Sequence, residues 1–153
     1  MMRSTRYVLT IGAIAGVICI SANATDYTFN PQGGDTGVWR DEDNWIPDNG
    51  PPCTEDDTAT IPTGKHCRVE QWYPGVGAIY VAQNATLTIT NGRSIKIGSD
   101  QTPTTSTIDG ELRFEGLANP GLYVADAGLT IDGSGTITAS GAHGCGGAFV
   151  KNC

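Results

Sequence analysis

Carboxylates are the commonest reactive groups in this 153-residue chain, with 16 acidic residues against 9 basic ones. Two clusters stand out, Asp41-Glu42-Asp43 and Glu55-Asp56-Asp57. Hard oxygen donors in loops suit calcium, and Asp41, Asp43, Asp56 and Asp57 are the residues that would ligate it. Neither cluster has the spaced donor pattern of a known calcium loop, so a turn or cap role for these carboxylates competes. No other cofactor is expected. His66 stands beside Cys67 and His143 near Cys145, but without the spacing of a zinc site.

Catalysis is not expected. Glycoside chemistry needs carboxylates that converge on one bond. Here Lys96, Asp109, Glu111, Arg113, Glu115, Asp126 and Asp132 are scattered and mixed in sign. His66 and His143 sit in no nucleophile motif. The exposed aromatics Trp72, Tyr73, Tyr80 and Tyr123 could stack on sugar rings. A carbohydrate groove requires Tyr80 and Tyr123 to share a face; otherwise they are scattered surface aromatics. Thr-x-Thr pairs occur at Thr58/Thr60, Thr86/Thr88/Thr90, Thr105/Thr107 and Thr136/Thr138. One flat ladder of them could bind ice. The intervening Lys96, Arg113 and Tyr123 break such a ladder, and outward Thr is also simply a good strand residue.

The elements that must position these groups are short strands. Apolar pairs recur as Ile79/Val81, Leu87/Ile89, Ile95/Ile97, Leu112/Phe114, Leu122/Val124 and Leu129/Ile131, then Ile137. Each pair flanks one outward residue, the period-two signature of a strand with one buried face. First members are spaced 8, 8, 17, 10, 7 and 8 residues apart. That rhythm predicts an all-β fold, a short right-handed parallel β-helix of roughly four turns at ~20 residues each. Asn91-Gly92 and Asp109-Gly110 are also hairpin signals, so an antiparallel β-sandwich is the alternative. Trp39 and Trp45 are expected to pack on the first apolar layer as an N-terminal cap. The domain reading is a leader at 1–24, a cap at 25–64, coils at 65–140, and a Gly/Cys-rich tail at 141–153.

Residues 1–24 read as a signal peptide. Arg3 and Arg6 precede an uncharged apolar run from Tyr7 to Ile20, and Ala22-Asn23-Ala24 fits a small-x-small cleavage site. The run is too short for a comfortable membrane span. The expected product is secreted, extracellular or at the cell surface. Removing Arg3 and Arg6 leaves 7 basic residues against 16 acidic ones, a net charge of −9. That disfavours nucleic acid and anionic membranes. In an exported chain the four remaining cysteines, Cys53, Cys67, Cys145 and Cys153, read as disulfides. Three pairings are open, and the local one, Cys53–Cys67 with Cys145–Cys153, is the expected choice.

One stretch carries a resemblance. Trp39, Asn44-Trp45, Pro51/Pro52, Asp56-Asp57, Ala59, Ile61-Pro62 and Gly64 resemble the opening of large secreted bacterial β-helix proteins. These include autotransporter-like passenger domains and repeat-rich surface proteins. Asn84-Ala85-Thr86-Leu87-Thr88-Ile89 and Ile95-Lys96-Ile97-Gly98 are similar to coil segments of the same class. The resemblance spans Val38 to Ser140 and implies the N-terminal part of a longer passenger. Proteins of that class run for many more turns than this chain has, and they are functionally mixed. The role expected from the residues is a non-catalytic module of surface structure or adhesion, with a carbohydrate-binding module or part of a carbohydrate-active β-helix enzyme as the alternative and ice binding as the third reading. Polysaccharide, or self-association through open coil ends, is the expected partner.

Overall fold

The computed structural model describes residues 24–70, 74–90, 92–116 and 121–140, and the backbone of 149–152. Residues 1–23 of the leader, Trp72, Tyr73, His143, Cys145 and Cys153 lie outside the described residues, as does Asn91. The chain is all-β with predominantly parallel sheets, an arrangement consistent with a β-solenoid.

The strands follow one another as β1 (Asp26–Phe29), β2 (Thr36–Val38), β3 (Trp45–Ile46), β4 (Thr58–Ile61), β5 (His66–Val69) and β6 (Gly75–Val76). Then come β7 (Ala78–Val81), β8 (Thr86–Ile89), β9 (Ser94–Ile97), β10 (Thr104–Ile108) and β11 (Glu111–Glu115). The last are β12 (Gly121–Val124), β13 (Leu129–Asp132), β14 (Thr136–Ser140) and β15 (Phe149–Asn152). A 3-10 turn, Glu42–Asn44, precedes β3.

From β4 onward the chain visits three sheets in rotation. Sheet A orders as β13-β10-β7-β4-β1-β3, sheet B as β14-β11-β8-β5-β2, and sheet C as β15-β12-β9-β6. Every pairing is parallel except β1 with β3. The antiparallel sandwich is therefore overturned. Asp109-Gly110 joins β10 of sheet A to β11 of sheet B, so it is a corner between sheets and not a hairpin turn. Strands β1, β2 and β4, from the segment before residue 65, join the same stacks as the later strands. That segment contributes rungs as well as its tryptophans.

Alternation along each strand builds the interior. Cys67, Leu87 and Leu112 stand in one register column, and Val69, Ile89 and Phe114 in the next. All six are buried. One buried cluster takes side chains from all three sheets. At roughly 25 cal/mol per Å², burial of such side chains is the main favourable term. Trp39 and Trp45 are fully buried against this core, ring centroids 4.9 Å apart at 64°. Each indole finds a carbonyl: Trp39 Nε1 donates to Pro52 O at 3.0 Å, and Trp45 Nε1 to Trp39 O at 2.7 Å. Phe29 packs edge-on to Trp45 at 5.2 Å.

The last described rung differs. Ile131 and Ile137 continue the inward columns of Ser106 and Leu112, yet are 37% and 51% exposed.

Corners set the length of each turn. A single residue, Gly77, separates β6 from β7, whereas residues 98–103 separate β9 from β10. A side chain on Gly77 would meet the Glu55 carbonyl oxygen at 2.2 Å, so this one-residue corner admits only glycine. The repeat is thus twenty residues where Thr58 pairs with Ala78, and twenty-seven where Tyr80 pairs with Thr107.

Candidate functional surface

The local Cys53–Cys67 disulfide is overturned. Cys67 is a free, fully buried thiol, and Cys53 is separately disulfide-bonded. The cause is the strand alternation: position 67 points inward on β5, between Gly37 and Leu87 in register. Burial pushes its thiol pKa well up, which removes the thiolate that oxidation needs.

The four aspartates proposed as calcium ligands are not gathered. Asp41 and Asp43 are exposed at the 3-10 turn, and Asp56 is exposed as well. Asp57 is buried, and its Oδ2 accepts from the backbone N–H of Cys53 and Thr54 at 3.0 Å each. It closes the turn that leads into β4. Among the described residues no three His, Cys, Asp or Glu side chains stand together as a cation site.

The outward columns give each sheet its own chemistry. Sheet B carries Thr36, His66, Thr86, Glu111 and Thr136 in one column. Its neighbouring column runs Val38, Arg68, Thr88, Arg113 and Thr138. Arg113 is held by Glu111 and Glu115 on its own strand. Thr138 Oγ1 donates to Glu111 Oε1 at 2.7 Å across the rungs. In sheet C, Lys96 is in register with Gly75 on one side and Tyr123 on the other. Lys96 Nζ donates to Glu55 Oε1 at 2.9 Å and to Asp100 Oδ1 at 3.1 Å. The Glu55 hydrogen bond is the main cause that raises the Lys96 pKa. Of these pairs, Lys96–Glu55 joins residues 41 apart in sequence, whereas Asp100 lies four residues on from Lys96.

Sheet A is unlike the others. Its six strands contain no Lys, Arg or His. One column runs unbroken through five rungs: Thr28, Thr60, Tyr80, Thr107 and Asp132. Beside it Asp26 pairs with Thr58, and Thr105 with Thr130. Thr58 Oγ1 donates to Asp26 Oδ1. Tyr80, in the middle of the column, is 42% exposed. Of the residues expected to break a Thr ladder, Arg113 does so in sheet B, where it stands between Thr88 and Thr138, whereas Lys96 and Tyr123 belong to sheet C and interrupt no Thr column of sheet A or B. What divides the hydroxyl face is Tyr80 itself. Tyr80 and Tyr123 lie in different sheets, so they form no common groove.

An open groove of about 470 Å³ follows the corner between sheets A and B. Gln83, Asn84, Thr86, Asp109, Glu111 and Ser134 give it a polar lining. Asn84 adopts a left-handed backbone, φ 61°, which Asn tolerates better than most residues, and its carbonyl accepts from Gly64 N–H at 3.2 Å. Asp109 Oδ1 accepts from Ser134 N at 2.9 Å and Ser134 Oγ at 3.0 Å. These contacts hold the Asp109 carboxyl below its usual range. Arg113 first, then Thr138, does the same for Glu111. Both groove carboxyls are thereby kept as anions.

Comparison with known proteins adds no relative: no family model, no curated protein and no solved structure matches the chain.

Proposed function

We propose that this chain is an exported, non-catalytic module serving in surface structure or adhesion, built as a right-handed parallel β-helix with a Trp-rich N-terminal cap. The observation that carries the reading is the rotation of the chain through three parallel stacks, one strand per sheet per turn. Such a stack presents long, regular, outward columns while each rung covers its neighbour. The sequence likeness to passenger domains of secreted bacterial proteins supports the same role.

No helix of the described residues is long and apolar enough to cross a membrane.

The test is attachment. Residues 25–153 are displayed on an otherwise non-adherent bacterium, and retention under flow is measured on polysaccharide-coated and protein-coated surfaces. Retention above the undisplayed strain is expected on at least one of them. No retention on any surface, together with release of reducing sugar by the purified chain, would replace this reading with an enzyme.

A further inference from the structure

We infer that the outer face of sheet A is a binding surface for a neutral polysaccharide, with Tyr80 as its stacking platform. The inference rests on the adhesive reading and names the ligand class and the residues that hold it.

The register fixes the geometry. Thr60 and Thr107 flank Tyr80 in one column, each one rung away. Neighbouring parallel strands are about 4.8 Å apart, so the column offers an aromatic ring between two hydroxyls at that spacing. Thr28 extends it by a further rung. Threonine is stiff at χ1, so these hydroxyls are placed before any ligand arrives. A pyranose presents an apolar C–H face to an aromatic ring and hydroxyls around its edge. A sugar chain running across the strands would set one ring on Tyr80 and its edge hydroxyls on Thr60 and Thr107.

Charge selects the polymer. With no basic residue in sheet A, nothing on this face would pair with a uronate or a sulfate. Asp26 and Asp132, at opposite ends of the face, repel anions. A neutral polysaccharide meets neither penalty. The aromatic ring in mid-column also argues against ice, whose lattice needs an unbroken flat array.

The experiment is depletion of the purified 25–153 chain by insoluble cellulose, chitin and curdlan, with polygalacturonate as the acidic control. Binding to at least one neutral polymer, and not to polygalacturonate, is expected. Tyr80→Ala should weaken it about tenfold, the scale of one lost aromatic contact. Tyr80→Phe should change it less than twofold. The shape-conserving pair Thr60→Val and Thr107→Val should weaken it by severalfold. Unchanged thermal unfolding of each variant keeps the comparison interpretable.

Four results would overturn the inference. Binding undiminished by Tyr80→Ala would place the polymer elsewhere and leave the adhesive reading intact. Retention under flow without depletion by any neutral polymer would remove the ligand class alone. Depression of the freezing point without polymer binding would assign the face to ice. Loss of both retention and polymer binding would remove the adhesive reading along with this one.

Discussion

Gly110→Ala tests the closeness of successive corners. Gly110 lies at the turn from β10 to β11, directly over the preceding corner. A Cβ there would stand 2.3 Å from the carbonyl oxygen of Ala85 and 2.4 Å from that of Ala82. Both obstacles are backbone, so no flexible side chain can move aside. Relief requires the rungs to part by roughly an ångström, which stretches bonds across that gap, two of them beside the new methyl. Gly110 N–H donates to Val81 O at 3.0 Å, and Glu111 N–H to Ala85 O at 2.9 Å. Each contributes about 1 kcal/mol. Overpacking adds about 1–3 kcal/mol. Alanine recovers about 0.5 kcal/mol by restricting the unfolded chain. The net loss is therefore about 3 kcal/mol. Gly33→Ala is the control, because a Cβ there meets nothing within 4 Å. The assay is urea unfolding followed by the fluorescence of the buried tryptophans. With a slope of about 2 kcal/mol per molar, the Gly110→Ala midpoint should fall by about 1.5 M. A midpoint within about 0.3 M of the Gly33→Ala protein would refute the close stacking of the corners.

Other outcomes follow from the same geometry. Leu87→Ala, in a fully buried column, should cost about 2–5 kcal/mol, whereas Ile137→Ala, 51% exposed on the last described rung, should cost less than about 1 kcal/mol in the same assay. Stability should decline in acid: the depressed carboxyls of Asp35, Asp100, Asp109 and Glu111 contribute above the unfolded range near pH 4, and that contribution is lost as pH falls through their folded values. A urea midpoint that rises between pH 5 and pH 3 would contradict this. Cys67 should react with a thiol reagent only at the rate of unfolding, since burial both hides it and raises its pKa. Full labelling of the native protein within seconds would show that the interior of β5 is open.

Strands with an inward apolar pair were legible from spacing alone. Ile79/Val81, Leu87/Ile89, Ile95/Ile97, Leu112/Phe114 and Leu122/Val124 fall in β7, β8, β9, β11 and β12. The 17-residue gap before Leu112 hid β10. Its inward positions are Ser106 and Ile108, so the apolar pair is incomplete. Ser106 is nonetheless buried, and its Oγ accepts from Ile79 N–H at 3.0 Å. A satisfied polar group replaced the pattern that alternation searches for. The sheet to which each outward residue belongs was not legible. Thr60 and Thr107 are far apart in sequence, and only the pairing with Tyr80 between them makes them neighbours. The cysteines misled for a related reason. Proximity along the chain suggested Cys53 with Cys67, but the pleat turns Cys67 away from any surface partner.

The uneven corners bear on how such a chain can change over generations. Backbone pairing resets the alignment at every rung, so the stacking of the parallel strands does not depend on how many residues lie between them. The six residues from Gly98 to Pro103 fill a connection that Gly77 makes alone elsewhere. Insertions can therefore accumulate at one edge while the interior keeps its layers. A foreign peptide grafted between Gln101 and Thr102, both exposed, would be carried outward on a scaffold that need not be redesigned to hold it.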